Sequence, residues 1–258
     1  MTTVTQARVI HSEWTKLHSL RSSRITLLVA VGLVVGLGLL IPFVSVTNWK
    51  PGTPTAGYDA VSRSLGGIYL AQLAFGVLGV LLVTGEYTTG MIRATFAAVP
   101  KRLPVLWGKL GVFGAATLLL GTVACLIAFL GGQAIFASKH VDASLGDPGV
   151  RRAVLGAGLF LTGIGALGVG LGALIRNSAG AIATLTGLLF VVPVIVSVLP
   201  QRWSDAIGPY LPSNAGAVII FPRPSPGSLG PWTGLGILAA WAAVAIALAA
   251  VMLVRRDV

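Results

Sequence analysis

The sequence contains few charged residues. Only 10% of its 258 residues are Asp, Glu, Lys or Arg, and 55% are hydrophobic, whereas soluble globular proteins carry about 25% charged residues. Side chains with so little charge cannot cover a water-facing surface, and the mean hydropathy of +0.90 indicates that lipid is the natural solvent. The composition therefore excludes an ordinary soluble protein and predicts an integral membrane protein.

Cysteine and histidine are also scarce. Cys125 is the single cysteine, so an intrachain disulfide is excluded, and its apolar surroundings indicate a small buried side chain. The three histidines, His11, His18 and His140, lie outside the apolar runs. Intramembrane enzymes and ion-coupled transporters need ionisable or metal-binding groups at depth. The sequence disfavours both classes, and no metal or other cofactor is expected.

Nucleotide-binding motifs are missing as well. The sequence has no G-x-x-x-x-G-K-[ST], so ATP is not expected to bind through a P-loop on this chain. Residues 163–168 match G-x-G-x-x-G, but no strand precedes them and no acidic residue follows about 20 positions later. We interpret these glycines as helix-packing positions. The pairs Gly32/Gly36 and Gly168/Gly172 have small-xxx-small spacing, which suits packing within the chain or between two copies.

Six apolar runs are long enough to cross a bilayer, which needs about 20 helical residues. None contains a charged residue or a histidine, and the runs are 25–45, 65–84, 110–130, 153–175, 179–199 and 233–254. Each is expected to be a helix, because lipid offers the backbone no hydrogen-bond partner. The sequence predicts an all-α membrane protein with one transmembrane domain over residues 1–258. Because its loops are short, any catalytic domain is expected on another chain.

The basic residues lie in short clusters between the apolar runs. The net charge is +11, with 18 Lys and Arg, but this arrangement is typical of membrane topology and excludes nucleic acid as the expected partner. Six spans place both termini on one side, and that side holds 11 of the 18 basic residues against 7 on the other. The bias predicts cytoplasmic termini in the plasma (inner) membrane, although the pair Arg151 and Arg152 opposes it.

An amphipathic helix is predicted over residues 8–24, before the first apolar run. Its apolar stripe, at i, i+4, i+7 spacing, consists of Ile10, Trp14 and Leu17. Glu13 and Lys16 lie off that stripe. Such a helix would lie along the membrane interface with its tryptophan at headgroup depth. The alternative is a plain basic flank that only fixes orientation.

The connection between the second and third runs is the most informative loop. Glu86 ends an uncharged run, and Arg93 follows seven residues later as its nearest expected partner, with the basic pair after Pro100 as an alternative. Residues 91–99 can form about two helical turns before Pro100 stops them. A short, firm helix here could transmit a push from a partner. The alternative is an ordinary loop whose Glu86 is solvated or paired with Arg93.

The loop between the fifth and sixth runs is rich in proline and glycine. Residues 206–221 are apolar enough to touch lipid but are interrupted by Gly208, Pro209 and Pro212. We expect short helices that dip into the outer leaflet without crossing it.

These features together resemble the ABC-2 type permeases, the transmembrane subunits of ATP-binding-cassette exporters, in the form common in high-GC Gram-positive bacteria. The resemblance covers the whole chain through the order and spacing of its motifs. The matching segments are Glu13 to Leu17, Ser19 to Ser22, Gly85 to Tyr87, Gly90 to Arg93, Pro100 to Arg102, Lys109, Tyr210 to Pro212, Asn214 to Gly216 and Arg255 to Asp257.

The resemblance implies an elbow helix at 8–24, a coupling helix at 88–99 that docks on a separate ATPase, and short outer helices at 204–222. The implied site residues are Glu86, Tyr87, Gly90, Met91, Arg93, Pro100 and Arg102 in the coupling loop; Glu13, Trp14, Lys16 and Leu17 in the elbow; and Tyr210, Pro212 and Asn214 in the external loop. The expected partners are an ABC-type ATPase, a second permease copy or homologue, and membrane lipid.

The expected function is therefore that of a permease subunit of an ATP-driven exporter, with ATP hydrolysis on the other chain. The alternative is a small channel or structural membrane subunit without ATP coupling. An apolar pathway suits lipids, hydrophobic drugs or peptides, and the sequence does not choose among them.

Overall fold

The described residues of the protein form six long helices. The computed structural model describes residues 11–16, 21–50, 55, 57–92, 102–223 and 227–255, without the side chains of residues 21–23 and 102. The long helices are α1 (Arg21–Thr47), α2 (Ile68–Thr88), α3 (Arg102–Phe136), α4 (Val150–Ile175), α5 (Ser178–Val198) and α6 (Pro231–Arg255). All six are long and apolar enough to cross a membrane, and the described residues contain no strand. The predicted all-α, six-span fold is confirmed, and the chain is a multi-pass membrane protein.

Two helices begin four or more residues before the apolar runs that the sequence predicted. Helix α1 begins at Arg21 rather than residue 25, and α3 begins at Arg102 rather than residue 110. The 35 residues of α3 correspond to a length of about 52 Å, well beyond the roughly 30 Å of a hydrocarbon core. Hydropathy therefore located the uncharged, membrane-spanning part of α1 and α3, whereas both helices continue beyond it into the polar interface.

Helix α4 lies at the centre and packs against α2, α3 and α6. Phe160, Leu161 and Ile164 on this helix are fully buried. A Cβ atom at Gly168 would collide with the backbone carbonyl oxygen of Gly76 on α2, and other glycines of α4 approach neighbouring helices in the same way. The glycines of residues 163–168 are therefore packing positions, as predicted.

The two small-xxx-small pairs behave differently. Gly172, like Gly168, faces α2, where an added Cβ would lie 2.9 Å from the Val80 carbonyl oxygen. At Gly32 and Gly36 on α1, no described atom lies within 4 Å of an added Cβ. The pair on α4 thus serves packing within the chain, whereas the pair on α1 faces outward.

Helix α5 changes character at its middle. The α-helical turns Ser178–Thr186 are followed by a π turn at Gly187–Val191 and by further α-helix at Val192–Val198. Pro193 has no N–H to donate, so a wide turn just before it accommodates the break in the hydrogen-bond ladder. Leu185 in the first half is buried, whereas Val194 and Val198 in the second half face outward. The second half therefore presents its apolar side chains to lipid.

Short helices join the long ones, as expected between α5 and α6. The four short segments there are Gln201–Ile207, Gly208–Tyr210, Pro212–Ala217 and Val218–Ile220. Gln133 of α3 is buried at the same end of the bundle. Its amide N–H donates to the Ala60 carbonyl oxygen at 3.2 Å and to Ser64 Oγ at 2.9 Å. Its amide oxygen accepts from the Ala143 N–H at 2.8 Å. We call this end the Gln133 end and the opposite one, which contains Lys109, the Lys109 end.

Candidate functional site

Four charged side chains meet at the Lys109 end and form a closed ring. Glu13 and Lys16 come from the helical residues 11–16, Glu86 from the last turn of α2, and Lys109 from α3. Lys109 Nζ donates to Glu13 Oε2 at 2.6 Å and to Glu86 Oε1 at 2.7 Å. Lys16 Nζ donates to Glu13 Oε1 at 2.7 Å and to Glu86 Oε1 at 2.8 Å. Each carboxylate therefore contacts both ammonium groups, and the signs alternate around the charge ring.

The charge ring is largely shielded from solvent. The side chains of Glu13, Lys109 and Glu86 are 2%, 3% and 6% exposed, and Lys16 is 21% exposed. Taking charges out of water costs several kcal/mol per ion unless close partners compensate. Two acids and two bases give the charge ring no net charge, so each desolvated charge has partners of opposite sign. One oxygen, Glu86 Oε2, is buried without a hydrogen-bond partner in the described part of the chain.

The positions of the four charged residues in the sequence explain why they meet at the same end of the bundle. Glu86 ends the uncharged run of α2, and Lys109 immediately precedes the uncharged run of α3. Because the two helices are consecutive and antiparallel, both side chains lie at the same membrane boundary. Glu13 and Lys16 are three residues apart, so they share one face of a helix. That face meets Glu86 and Lys109.

The protonation state of Lys16 follows from these contacts. Burial by itself lowers the pKa of the Lys16 ammonium, but hydrogen bonds and charge attraction from Glu13 and Glu86 together outweigh burial. The pKa of Lys16 is therefore raised above its ordinary value of 10.5. Lys16 stays charged throughout the physiological pH range.

The last turn of α2 also contacts the helices on its other side. The Arg176 guanidinium lies over the Tyr87 ring, 5.5 Å from its centroid, and donates to the Met252 carbonyl oxygen of α6 at 3.2 Å. Ser178 Oγ at the start of α5 donates to Thr84 Oγ1 at 2.7 Å. The end of α2 is therefore joined to α3 and residues 11–16 through the charge ring, and to α4, α5 and α6 through these contacts.

The connection between α2 and α3 begins with a glycine that follows the end of α2. Helix α2 ends at Thr88, and Gly90 has a left-handed backbone with φ of +72°, which favours glycine. Met91 and Ile92 are helical, with Met91 exposed and Ile92 buried. The predicted coupling-loop residues Arg93 and Pro100 lie outside the described residues. Arg102 begins α3, and its side chain is not described.

Glu86 has two partners that the sequence did not indicate. Arg93 was the nearest predicted partner and falls outside the described residues, but the structure pairs Glu86 with Lys16 and Lys109, neither of which sequence reasoning had suggested. The alternative of a solvated Glu86 is wrong, because this side chain is buried. The sequence did contain a signal for Lys109. Glu86 ends one uncharged run and Lys109 immediately precedes the next, so the acid and the base lie at the same membrane boundary.

The predicted elbow residues occupy two environments. Glu13 faces the bundle, whereas Trp14 is 46% exposed, and Leu17 lies outside the described residues. Trp107 on α3 is also exposed at the Lys109 end, and Trp203 and Trp232 are exposed at the Gln133 end. Exposed tryptophans at both ends of a bundle are typical of the two membrane interfaces. The charge ring thus lies at the level of one of these aromatic belts.

The predicted external residues lie apart from the charge ring, at the Gln133 end. Tyr210 is exposed, and its carbonyl oxygen accepts a hydrogen bond from Trp241 Nε1 at 3.0 Å. Pro212 is buried and begins a short helix, and Asn214 Nδ2 donates to the Gly208 carbonyl oxygen at 3.0 Å. These residues fix the fold of the α5–α6 connection and pack it against α6.

Comparisons with known proteins add no family to this picture. No protein-family model matches the chain, and no curated protein matches it. Within the described residues, no group of three or more His, Cys, Asp or Glu side chains is placed to hold a metal ion. The chain is a multi-pass membrane protein whose buried charge ring joins its N-terminal segment to two spanning helices.

Proposed function

We propose that this chain is the membrane-spanning permease subunit of an ATP-driven exporter, coupled to a separate ATPase subunit through the α2–α3 connection. The observation that carries the proposal is the position of the charge ring. It lies where the connection leaves α2, and it ties α2 to α3 and to residues 11–16. The resemblance to ABC-2 type permeases supplies the energy source and the partner.

The mechanism follows from rigidity at this joint. A displacement of the residues beyond Gly90 would move α2 and its neighbours together. The reason is that two ammonium groups hold the Oε1 atom of Glu86, in the last turn of α2, at 2.7 and 2.8 Å. Tyr87 and Thr84 would pass the movement to α4, α5 and α6. The ATPase can drive the change only through contacts that differ between the two states of the permease.

The remaining parts of the proposal concern assembly and place. Two permeases would pair with two ATPase chains, and the ATPases would hydrolyse ATP. The chain would lie in the plasma membrane with both termini in the cytoplasm, so that the Lys109 end faces the ATPase. The positive-inside bias supports this orientation. The competing function is that of a channel or structural subunit that works without ATP.

The test separates assembly from coupling. The chain is co-expressed with a P-loop ATPase that has no membrane spans, which the proposal expects to be encoded by a neighbouring gene. The complex is reconstituted in vesicles, with a hydrophobic fluorescent dye as the transport probe. Glu86→Gln keeps the side-chain shape and removes its charge. This variant should insert and bind the ATPase, while dye export and dye-stimulated ATP hydrolysis fall together by about ten-fold. Asp205→Asn, an exposed acid at the Gln133 end, is the matched control and should export normally.

A second variant guards against a role for Glu86 in folding alone. Scrambling residues 93–99 keeps all four residues of the charge ring and the buried Ile92, and it changes the sequence offered to the ATPase. It should abolish ATPase binding without changing the amount of folded chain in the membrane. Normal export by both this variant and Glu86→Gln would show that the connection is a plain loop and would refute the proposed coupling.

A further inference from the structure

The charge ring consists of two acid–base pairs that are each complete without the other. Glu13 and Lys16 both belong to residues 11–16, and Glu86 and Lys109 both belong to the bundle. If residues 11–16 moved away, Glu13 would keep Lys16 at i,i+3 spacing and Glu86 would keep Lys109. Neither state leaves a charge without a partner of opposite sign.

One buried oxygen without a hydrogen-bond partner among the described residues favours the release of residues 11–16. Glu86 Oε2 is buried without a hydrogen-bond partner in the part of the chain that the structure describes, and a buried unpaired acceptor destabilises the state that contains it. Lys16 contacts the other oxygen of this carboxylate at 2.8 Å, so departure of residues 11–16 would uncover the Glu86 carboxylate on that side. The docked state therefore gains two cross-segment ion pairs, Lys16 to Glu86 and Lys109 to Glu13, and forfeits hydration of one carboxylate oxygen.

We propose that residues 11–16 form a latch that docks on α2 and α3 and is released from them by exchange of ion-pair partners. The alternating pattern of charge holds the latch in its docked position, because each carboxylate contacts both ammonium groups. The latch belongs to this chain alone and does not rest on the proposed function.

The docking of the latch is measured with a spin label at the exposed position Thr15. The label is attached to Thr15→Cys in a Cys125→Ala background, with the protein in lipid nanodiscs. The starting protein should show a restricted label with a minor mobile component. Lys109→Met should raise the ratio of mobile to restricted label by about ten-fold or more, because the docked state then contains one acid too many.

Inverting all four charges tests the role of the pattern. The variant Glu13→Lys/Lys16→Glu/Glu86→Lys/Lys109→Glu has no side chain of the original charge ring, but it keeps the alternation and the net charge. Its label should be as restricted as in the starting protein. A label that stays mobile in this variant, or one that stays restricted in Lys109→Met, would overturn the latch.

The self-sufficiency of the two pairs has its own test. Glu13→Gln/Lys16→Met neutralises the latch and leaves Glu86 with Lys109. The label should become mobile while the thermal midpoint of the bundle changes by no more than about 2 °C. If the midpoint instead falls as far as in Lys109→Met, residues 11–16 are a fixed structural support and the latch is refuted.

Discussion

Replacing Lys109 with methionine should destabilise the bundle far more than the same change at Lys16. Lys109 is 3% exposed and is bonded to two carboxylates at 2.6 and 2.7 Å, whereas Lys16 is 21% exposed. Without Lys109, Glu13 and Glu86 share one ammonium, and the site carries a net negative charge. Breaking a buried pair in this way costs about 3–5 kcal/mol. At Lys16, water can reach the site, and we expect about 1–3 kcal/mol.

Adding Glu86→Gln to Lys109→Met should restore part of this loss, because Glu13 and Lys16 then balance. The expected coupling between the two substitutions is about 0.5–3 kcal/mol, favouring the double variant. Denaturant titration in mixed micelles measures the free energy of unfolding of the starting protein, both single variants and the double variant. Release of residues 11–16 would hydrate Glu86 in Lys109→Met, so 3–5 kcal/mol is an upper value. Strictly additive losses would refute the charge ring as a coupled unit.

Three further outcomes are expected. Gly168→Ala should lower the thermal midpoint, because its Cβ meets the α2 backbone and overpacking costs about 1–3 kcal/mol, whereas Gly32→Ala, which no described atom opposes, should leave the midpoint unchanged or raise it. The raised pKa of Lys16 means that its ion pairs persist below its ordinary value of 10.5 and are lost only as the pH rises above the raised value; the Thr15 spin label should therefore become mobile only above about pH 10.5, and release between pH 7 and 9 would contradict this. A reporter after Val258 should read cytoplasmic and one at Gly146 external; the same side for both would contradict six spans.

The spanning helices were predictable because lipid imposes a simple rule. An uncharged run of about 20 residues has few alternatives to a helix in a membrane, and each of the six runs contains a long helix in the structure. The starts of α1 and α3 were missed because hydropathy ends where the apolar residues end. The backbone continues as helix through Arg24 and Lys109, since the polar interface accepts the Arg24 side chain and two carboxylates accept that of Lys109.

The charge ring was only partly predictable. Glu86 stood out because an acid that ends an uncharged run needs a partner, but the sequence did not indicate Lys16 or Lys109 as that partner. Lys109 reaches Glu13 across 96 residues, a pairing that depends on how residues 11–16 return to the bundle. Lys109 also looked like an ordinary flanking charge, and only its burial between two carboxylates reveals its role.

The most direct test of the proposed function is whether the chain assembles with the P-loop ATPase that the proposal expects as its partner and stimulates ATP hydrolysis by it. The two proteins are co-expressed, purified through a tag on the permease and placed in nanodiscs, and the permease alone is fused into planar bilayers. The proposal predicts an equimolar complex in which ATP hydrolysis is several-fold faster than in the isolated ATPase, and no conductance from the permease alone. An ATPase that fails to co-purify, together with steady ion conductance by the chain alone, would contradict the exporter and establish the channel.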